Sequence, residues 1–179
     1  SSAVWSKDGK SIFFTNNEKG TAQIFRMDLT TCETEQVTDY ELGIGSPVIS
    51  PDERYIAFTA EVYPDLGADA KANKARMEKK EQGPVQAHIA DKLLYRHWTS
   101  YNDGRCNHLI LFDTQTKTYK DLTPGNYSLI FVVGGGITYQ FSPDSKEICF
   151  VSNHDEHQEA STNADLWTVS VNGGEPVCI

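Results

Sequence analysis

Ser50-Pro51-Asp52-Glu53-Arg54-Tyr55-Ile56-Ala57-Phe58 decides the fold, because the chain writes it twice more: as Ser6-Lys7-Asp8-Gly9-Lys10-Ser11-Ile12-Phe13-Phe14 and as Ser142-Pro143-Asp144-Ser145-Lys146-Glu147-Ile148-Cys149-Phe150. Each copy reads as a tight turn running into a β-strand. Ser and Asp bond nearby backbone, Pro presets φ, and Ile-x-Phe puts two large side chains on one strand face. Such a unit cannot bury its own apolar faces, whereas a stack of sister units can.

The spacing selects the array. Asp8 and Asp52 lie 44 residues apart, within the roughly 40 to 45 of a four-stranded propeller blade. Asp52 and Asp144 lie 92 apart, about two blade lengths, so either one copy has decayed or one blade carries an insertion. The content favours an insertion. After the first phrase come the strand-like runs Gln23-Ile24-Phe25-Arg26-Met27-Asp28-Leu29 and Glu35-Gln36-Val37-Thr38; after the third come Asp165-Leu166-Trp167-Thr168-Val169-Ser170-Val171 and Val177-Cys178-Ile179. The second phrase has matching partners only at His108-Leu109-Ile110-Leu111-Phe112-Asp113 and Thr118-Tyr119-Lys120-Asp121-Leu122-Thr123, which leaves about 63–107 as inserted chain. With a strand before each turn, the expected fold is all-β: a partial β-propeller of about three four-stranded antiparallel blades, with a helical insertion in the middle blade. Known propellers close with roughly 4 to 8 blades, so residues 1–179 are expected to be part of a longer N-terminal propeller. Open terminal blades expose apolar faces and strand edges, and self-association is expected of them.

Composition sets limits. The chain is 39% hydrophobic and 23% charged, as in a globular domain with a real core. Its net charge of −9 argues against a nucleic-acid partner, and no run approaches the roughly 20 apolar residues of a membrane span. Cys32, Cys106, Cys149 and Cys178 form no Cys-x-x-Cys pair; Cys149 and Cys178 read as strand-packing residues.

Within the insertion, Asp69-Ala70-Lys71-Ala72-Asn73-Lys74-Ala75-Arg76-Met77-Glu78-Lys79-Lys80-Glu81 is rich in helix formers and stops at Gly83-Pro84, which predicts a short charged helix. Leu93-Leu94-Tyr95-Arg96-His97-Trp98 follows, dense in aromatic and basic groups that either pack a loop or line a pocket. His154-Asp155-Glu156-His157-Gln158-Glu159 is an acidic cluster, either a solvated loop or a source of binding carboxylates. His154 and His157 sit in a loop without a further ligand set, so no metal and no cofactor is assigned. His97 and His108 read as packing histidines. Gly134-Gly135-Gly136 lacks the following Lys and Ser/Thr of a phosphate loop and reads as close backbone passage.

Taken together, the Ser-Pro-Asp repeats, Glu61-Val62-Tyr63-Pro64-Asp65 before a charged insertion, Leu94-Tyr95-Arg96-His97-Trp98 with Asp103-Gly104 following, Asp121-Leu122-Thr123-Pro124-Gly125, and Ser161-Thr162-Asn163-Ala164-Asp165-Leu166 resemble the propeller of the prolyl oligopeptidase family. The branch of dipeptidyl and acylaminoacyl peptidases is the most similar. The resemblance implies an N-terminal propeller that caps a C-terminal α/β-hydrolase domain, admits short peptides and positions them. It also implies peptide substrate and that hydrolase domain as partners, and a periplasmic or secreted setting. The elbow Gly-x-Ser-x-Gly is not in this chain; Gly43-Ile44-Gly45-Ser46-Pro47 comes nearest. No catalytic residue is therefore assigned, and the chain alone is expected to be inactive. In the dipeptidyl peptidase IV branch, adjacent glutamates hold the substrate's terminal ammonium, but no Glu-Glu pair occurs here. The substrate-binding candidates are Arg96, Glu156 and Glu159. A propeller that binds a protein partner, similar to the Tol-system propeller, is the alternative; it has no need of the insertion.

Overall fold

The computed structural model describes residues 3–179 except 19, 86, 88, 91, 92, 94, 98 and 130–136, and the side chains of 97, 100 and 159 also fall outside the described set. Leu94 and Trp98 of the insertion motif, and Gly134-Gly135-Gly136, thus lie outside the described residues. The first blade is β1 (Ala3–Trp5), β2 (Ser11–Asn16), β3 (Gln23–Asp28) and β4 (Thr34–Gln36). β5 (Gly45–Ile49) and β6 (Tyr55–Val62) open the second blade, which the chain then leaves for α1 (Ala70–Glu81) and the hairpin β7 (Arg96–His97) and β8 (Ser100–Tyr101). It returns as β9 (Cys106–Asp113) and β10 (Thr118–Asp121), giving the sheet order β10-β9-β6-β5. The third blade is β11 (Tyr139–Phe141), β12 (Glu147–Ser152), β13 (Asp165–Ser170) and β14 (Val177–Cys178). All pairings are antiparallel, so the fold is the partial propeller that the repeats imply. Among the described residues no helix is long and apolar enough to cross a membrane.

The repeated phrase is one turn built three times. In each copy the Ser hydroxyl donates to the Asp carboxylate: Ser6 to Asp8 at 2.7 Å, Ser50 to Asp52 at 2.6 Å and Ser142 to Asp144 at 2.7 Å. The same Ser oxygen accepts the amide that opens the following strand, from Ser11, Tyr55 and Glu147 at 2.9, 2.9 and 3.0 Å. The residue after the Asp takes positive φ in every copy: Gly9, Glu53 and Ser145 at 69°, 62° and 62°. Where that residue has a side chain, it reaches the preceding blade. The Glu53 carboxylate accepts from the Lys7 amide, and the Ser145 hydroxyl accepts from the Asp52 amide at 3.1 Å. The strain of a left-handed non-glycine residue is thus offset by a bond between blades.

The core lies on both sides of the second blade. β6 and β9 alternate in pairs: Tyr55, Ala57, Leu109 and Leu111 pack on Phe141, Ile148, Phe150 and Val169 of the third blade, while Ile56, Phe58, Ile110 and Phe112 pack on Phe13 and Ile24 of the first. A period of two explains the division, since successive side chains leave a strand on opposite faces. The outward faces of the outer blades carry exposed Trp5, Leu166 and Val177. All four cysteines are free; Cys149 is half-buried in β12, but Cys178, which reads as a packing residue in the sequence, is exposed on the edge strand β14.

The insertion is bolted down at its start. Asp69 caps α1 by accepting the Ala72 amide at 3.0 Å. Asn73, fully buried, accepts the Tyr63 amide at 2.7 Å and donates to the carbonyls of Gly67 and Asp69 at 3.0 and 2.8 Å. Arg76 grips Asp65 with both terminal nitrogens, at 2.7 and 2.6 Å. The Tyr40 hydroxyl donates to the Ala68 carbonyl at 3.2 Å, and Lys74 pairs with Glu41 at 3.4 Å, which ties the helix to the link between the first two blades.

Two outcomes follow. Ser50→Ala strands the Tyr55 amide and is expected to cost about 1–3 kcal/mol in urea unfolding; a loss no larger than that of an exposed Ser would contradict the turn's role. Asn73→Ala leaves the Tyr63 amide unpaired, so protease cleavage within residues 63–105 should accelerate while the blades keep their unfolding midpoint.

Candidate functional site

A cleft of about 1130 Å³ opens between the insertion and two loops of the blades. One wall is the returning segment of the insertion, with Tyr95, Asp103 and Arg105. The second is the segment after β10, with Asn126 and Tyr127; the third is the loop after β12, with His154, Asp155 and Glu156. The cleft exists because β6 and β9 diverge above the Val62–Cys106 pair, and the 43 residues between them must fold over the blade top.

Ion pairs knit the insertion wall. The Arg105 Nε lies 3.0 Å from both Asp103 oxygens, and Nη1 lies 3.1 Å from Glu61 Oε2 on β6. Burial opposes the Arg105 charge, but the Asp103 bond and the two carboxylates outweigh it, and its pKa is raised. Lys80 at the end of α1 donates to the Asp103 carbonyl at 3.0 Å, which holds helix and returning segment together.

Aromatic rings form the opposite wall. The His154 ring lies between Tyr127 and Trp167, with centroids 3.7 and 3.9 Å away. Burial lowers the His154 pKa below its ordinary value, so the ring is neutral at neutral pH. Asp155 accepts from the Ser161 hydroxyl and, at 3.4 Å, from the Asn163 amide, whose nitrogen also donates to Asp165 at 2.8 Å. These bonds fold Ser161-Thr162-Asn163 back under the acidic loop.

The candidates read from the sequence are placed unequally. Glu156 lines the cleft. Arg96 is exposed on β7, next in sequence to the lining residue Tyr95. Glu159 belongs to the 3-10 turn Gln158–Ala160, and its side chain lies outside the described set. Ser46, in the stretch nearest to a nucleophile elbow, has φ of 46° in β5 and leads along a bulged strand rather than into a helix. Among the described residues no three His, Cys, Asp or Glu side chains are grouped to hold a metal ion.

Sequence reading passed over three features. His108, read as a packing histidine, is buried but paired, with Nδ1 2.7 Å from Asp121 and Nε2 2.9 Å from the Gly125 carbonyl. The Asp103–Arg105–Glu61 cluster joins residues 44 positions apart. The Tyr127–His154–Trp167 stack joins two blades. Asp103-Gly104-Arg105 carried a local signal, a charged turn beside the aromatic run; the others depended on strand register.

Comparison with known proteins sets these observations in a family. Dipeptidyl-peptidase 5 of Porphyromonas gingivalis is 28% identical over 177 residues, covering 96% of this chain and 25% of that protein. The uncharacterized peptidase YuxL of Bacillus subtilis is 27% identical over 165 residues, covering 91% of this chain and 23% of its own length. The chain therefore spans about a quarter of the length of these curated relatives. Among solved structures, acylaminoacyl peptidase of Pyrococcus horikoshii aligns over 100% of this chain and 24% of its own with a TM-score of 0.63 and 17% identity. TolB from Acinetobacter baumannii aligns over 98% of this chain and 31% of its own with a TM-score of 0.52 and 18% identity. These two likenesses are of fold. A family model described as Dipeptidyl peptidase IV (DPP IV) N-terminal region matches residues 67–179, from the foot of the helical insertion through the third blade, so the chain belongs to that family and is a propeller of prolyl oligopeptidase type.

Proposed function

We propose that this propeller gates and positions peptide substrate for a serine exopeptidase, of dipeptidyl or acylaminoacyl type, whose α/β-hydrolase domain lies outside residues 1–179. The observation that carries the reading is the cleft: the helical insertion and two blade loops line it, and Glu156 stands in that lining beside aromatic rings, apolar side chains and paired charges. Family membership supplies the context, because the sequence of residues 1–179 holds no nucleophile elbow and selection is the task left to the blades.

Gating of this kind is steric. A wall anchored by Asn73, Arg76 and Lys80 admits an extended peptide and excludes a folded protein, and no blade residue has to react. Positioning is electrostatic. A terminal ammonium meeting Glu156 makes a charge-assisted hydrogen bond, and holding that end sets which peptide bond reaches the nucleophile. Glu159 in the adjoining turn is a second carboxylate for the same task, and Arg96 a cation for the carbonyl or carboxylate groups further along the peptide.

Fluorophosphonate labelling tests the assignment. The protein carrying its hydrolase domain should label, and residues 1–179 alone should not. A folded, complete protein that fails to label would favour a partner-binding propeller, the reading with which the TolB likeness of fold is compatible. On the active protein, Glu156→Gln should raise KM for peptides with a free amino end by about tenfold, the loss of one charged hydrogen bond, and leave amino-blocked peptides unchanged. Equal effects on both substrates would remove Glu156 from ammonium binding.

A further inference from the structure

His108 on β9 is completely buried, and both of its ring nitrogens face acceptors. Nδ1 is 2.7 Å from Asp121 Oδ2, and Nε2 is 2.9 Å from the Gly125 carbonyl oxygen. A carbonyl has no proton to give, and an ionised carboxylate only accepts, so a neutral ring, with one N–H, satisfies just one of the two. An imidazolium, donating at both, satisfies the whole arrangement.

What His108 holds is the cleft wall. Gly125 has φ of +142°, and a Cβ there would stand 2.5 Å from Tyr127 Cε1, so the Tyr127 ring lies against the Gly125 backbone. The Tyr127 hydroxyl closes the turn by donating to the Pro124 carbonyl at 3.1 Å. On its other side Tyr127 meets His154, which meets Trp167. A continuous run of contacts thus leads from the buried ring of His108, through one carbonyl, to the aromatic wall.

We propose that His108 is a positioning residue, an imidazolium whose Nε2–H holds the Gly125 carbonyl and thereby fixes the Tyr127–His154 wall of the cleft, so that the order of this wall follows the protonation of His108.

The surrounding charges favour this state. Asp121 on β10 faces the ring, and Cys106, two residues before His108 on β9, also favours its charged form. The Asp121 charge also bears on Tyr40 and Tyr127, the Asp165 charge on His154 and the Glu175 charge on Tyr127. Burial by itself would strip the proton from His108, but the Asp121 and Cys106 bonds, the Asp121 charge and the Gly125 carbonyl outweigh it and push the pKa up to about 9. Because the folded value lies above the ordinary 6.5, the stabilisation is fully present below about pH 6.5 and is lost as pH rises through about 9. His154 has the opposite sign, since burial favours its neutral form.

Histidine-selective ¹⁵N NMR across the neutral-to-alkaline range tests the proposal. Expected are two protonated His108 ring nitrogens at neutral pH, a titration near about 9, and Tyr127 ring and Trp167 indole resonances that shift with the same midpoint while β12 amides stay in place. A single neutral tautomer of His108 at neutral pH overturns the proposal. So does a His108 titration that leaves Tyr127 and Trp167 unmoved. In His108→Gln, whose amide still donates to Gly125 but does not titrate, the alkaline shift of Tyr127 and Trp167 should vanish; its persistence would assign the wall to another group.

Discussion

Alternate side chains of β6 and β9 go to opposite neighbours, and the rest of the molecule depends on that division. Ile56, Phe58, Ile110 and Phe112 serve the first blade, and Tyr55, Ala57, Leu109 and Leu111 serve the third. Both faces are buried, so these two strands read as continuous apolar runs instead of alternating with polar residues. A slip of one residue between β6 and β9 would send every one of these side chains to the wrong partner. The repeated turn sets the start of β6 and so guards that register: Ser50 holds the first strand amide, and Arg54, two residues after Asp52, pairs with Asp113 at the far end of β9 at 2.9 Å.

The same register builds the cleft. Where β6 and β9 part company, at Val62 and Cys106, the chain makes a long excursion from the blade pattern, and the polar groups that steady it come from both strands and from the link at Tyr40 and Glu41. Charges in the insertion wall are mostly spent on one another, as Arg105 shows with Asp103 and Glu61. Paired charges on that side and stacked rings on the other line the cleft, an arrangement in keeping with the positioning role proposed for it.

How much of this was legible in the sequence follows the range of each interaction. The blade turn closes within five residues, as Ser50 to Tyr55 shows, so it leaves a local signature that can be read three times. α1 is equally local, with an Asp69 cap, alanines and lysines through its length and Gly83-Pro84 beyond it. His108 is different. Its partner lies 13 residues away across a strand pair, and a histidine in an apolar run looks the same whether it packs or carries a charge. The Tyr127–His154–Trp167 stack joins blades whose approach no spacing rule reports. For the same reason the neighbouring acids of the 154–159 cluster are not told apart by spacing: Asp155 and Glu156 both line the cleft, but Asp155 is engaged with Ser161 and Asn163.

The central claim is that a doubly buried second blade organises its neighbours and the insertion alike. Native-state hydrogen exchange, read amide by amide, addresses it most directly. The account predicts the slowest exchange in β6 and β9, opening only with global unfolding, with β2, β3, β12 and β13 opening earlier at their outward faces. Exchange from β6 and β9 before the outer blades would contradict it.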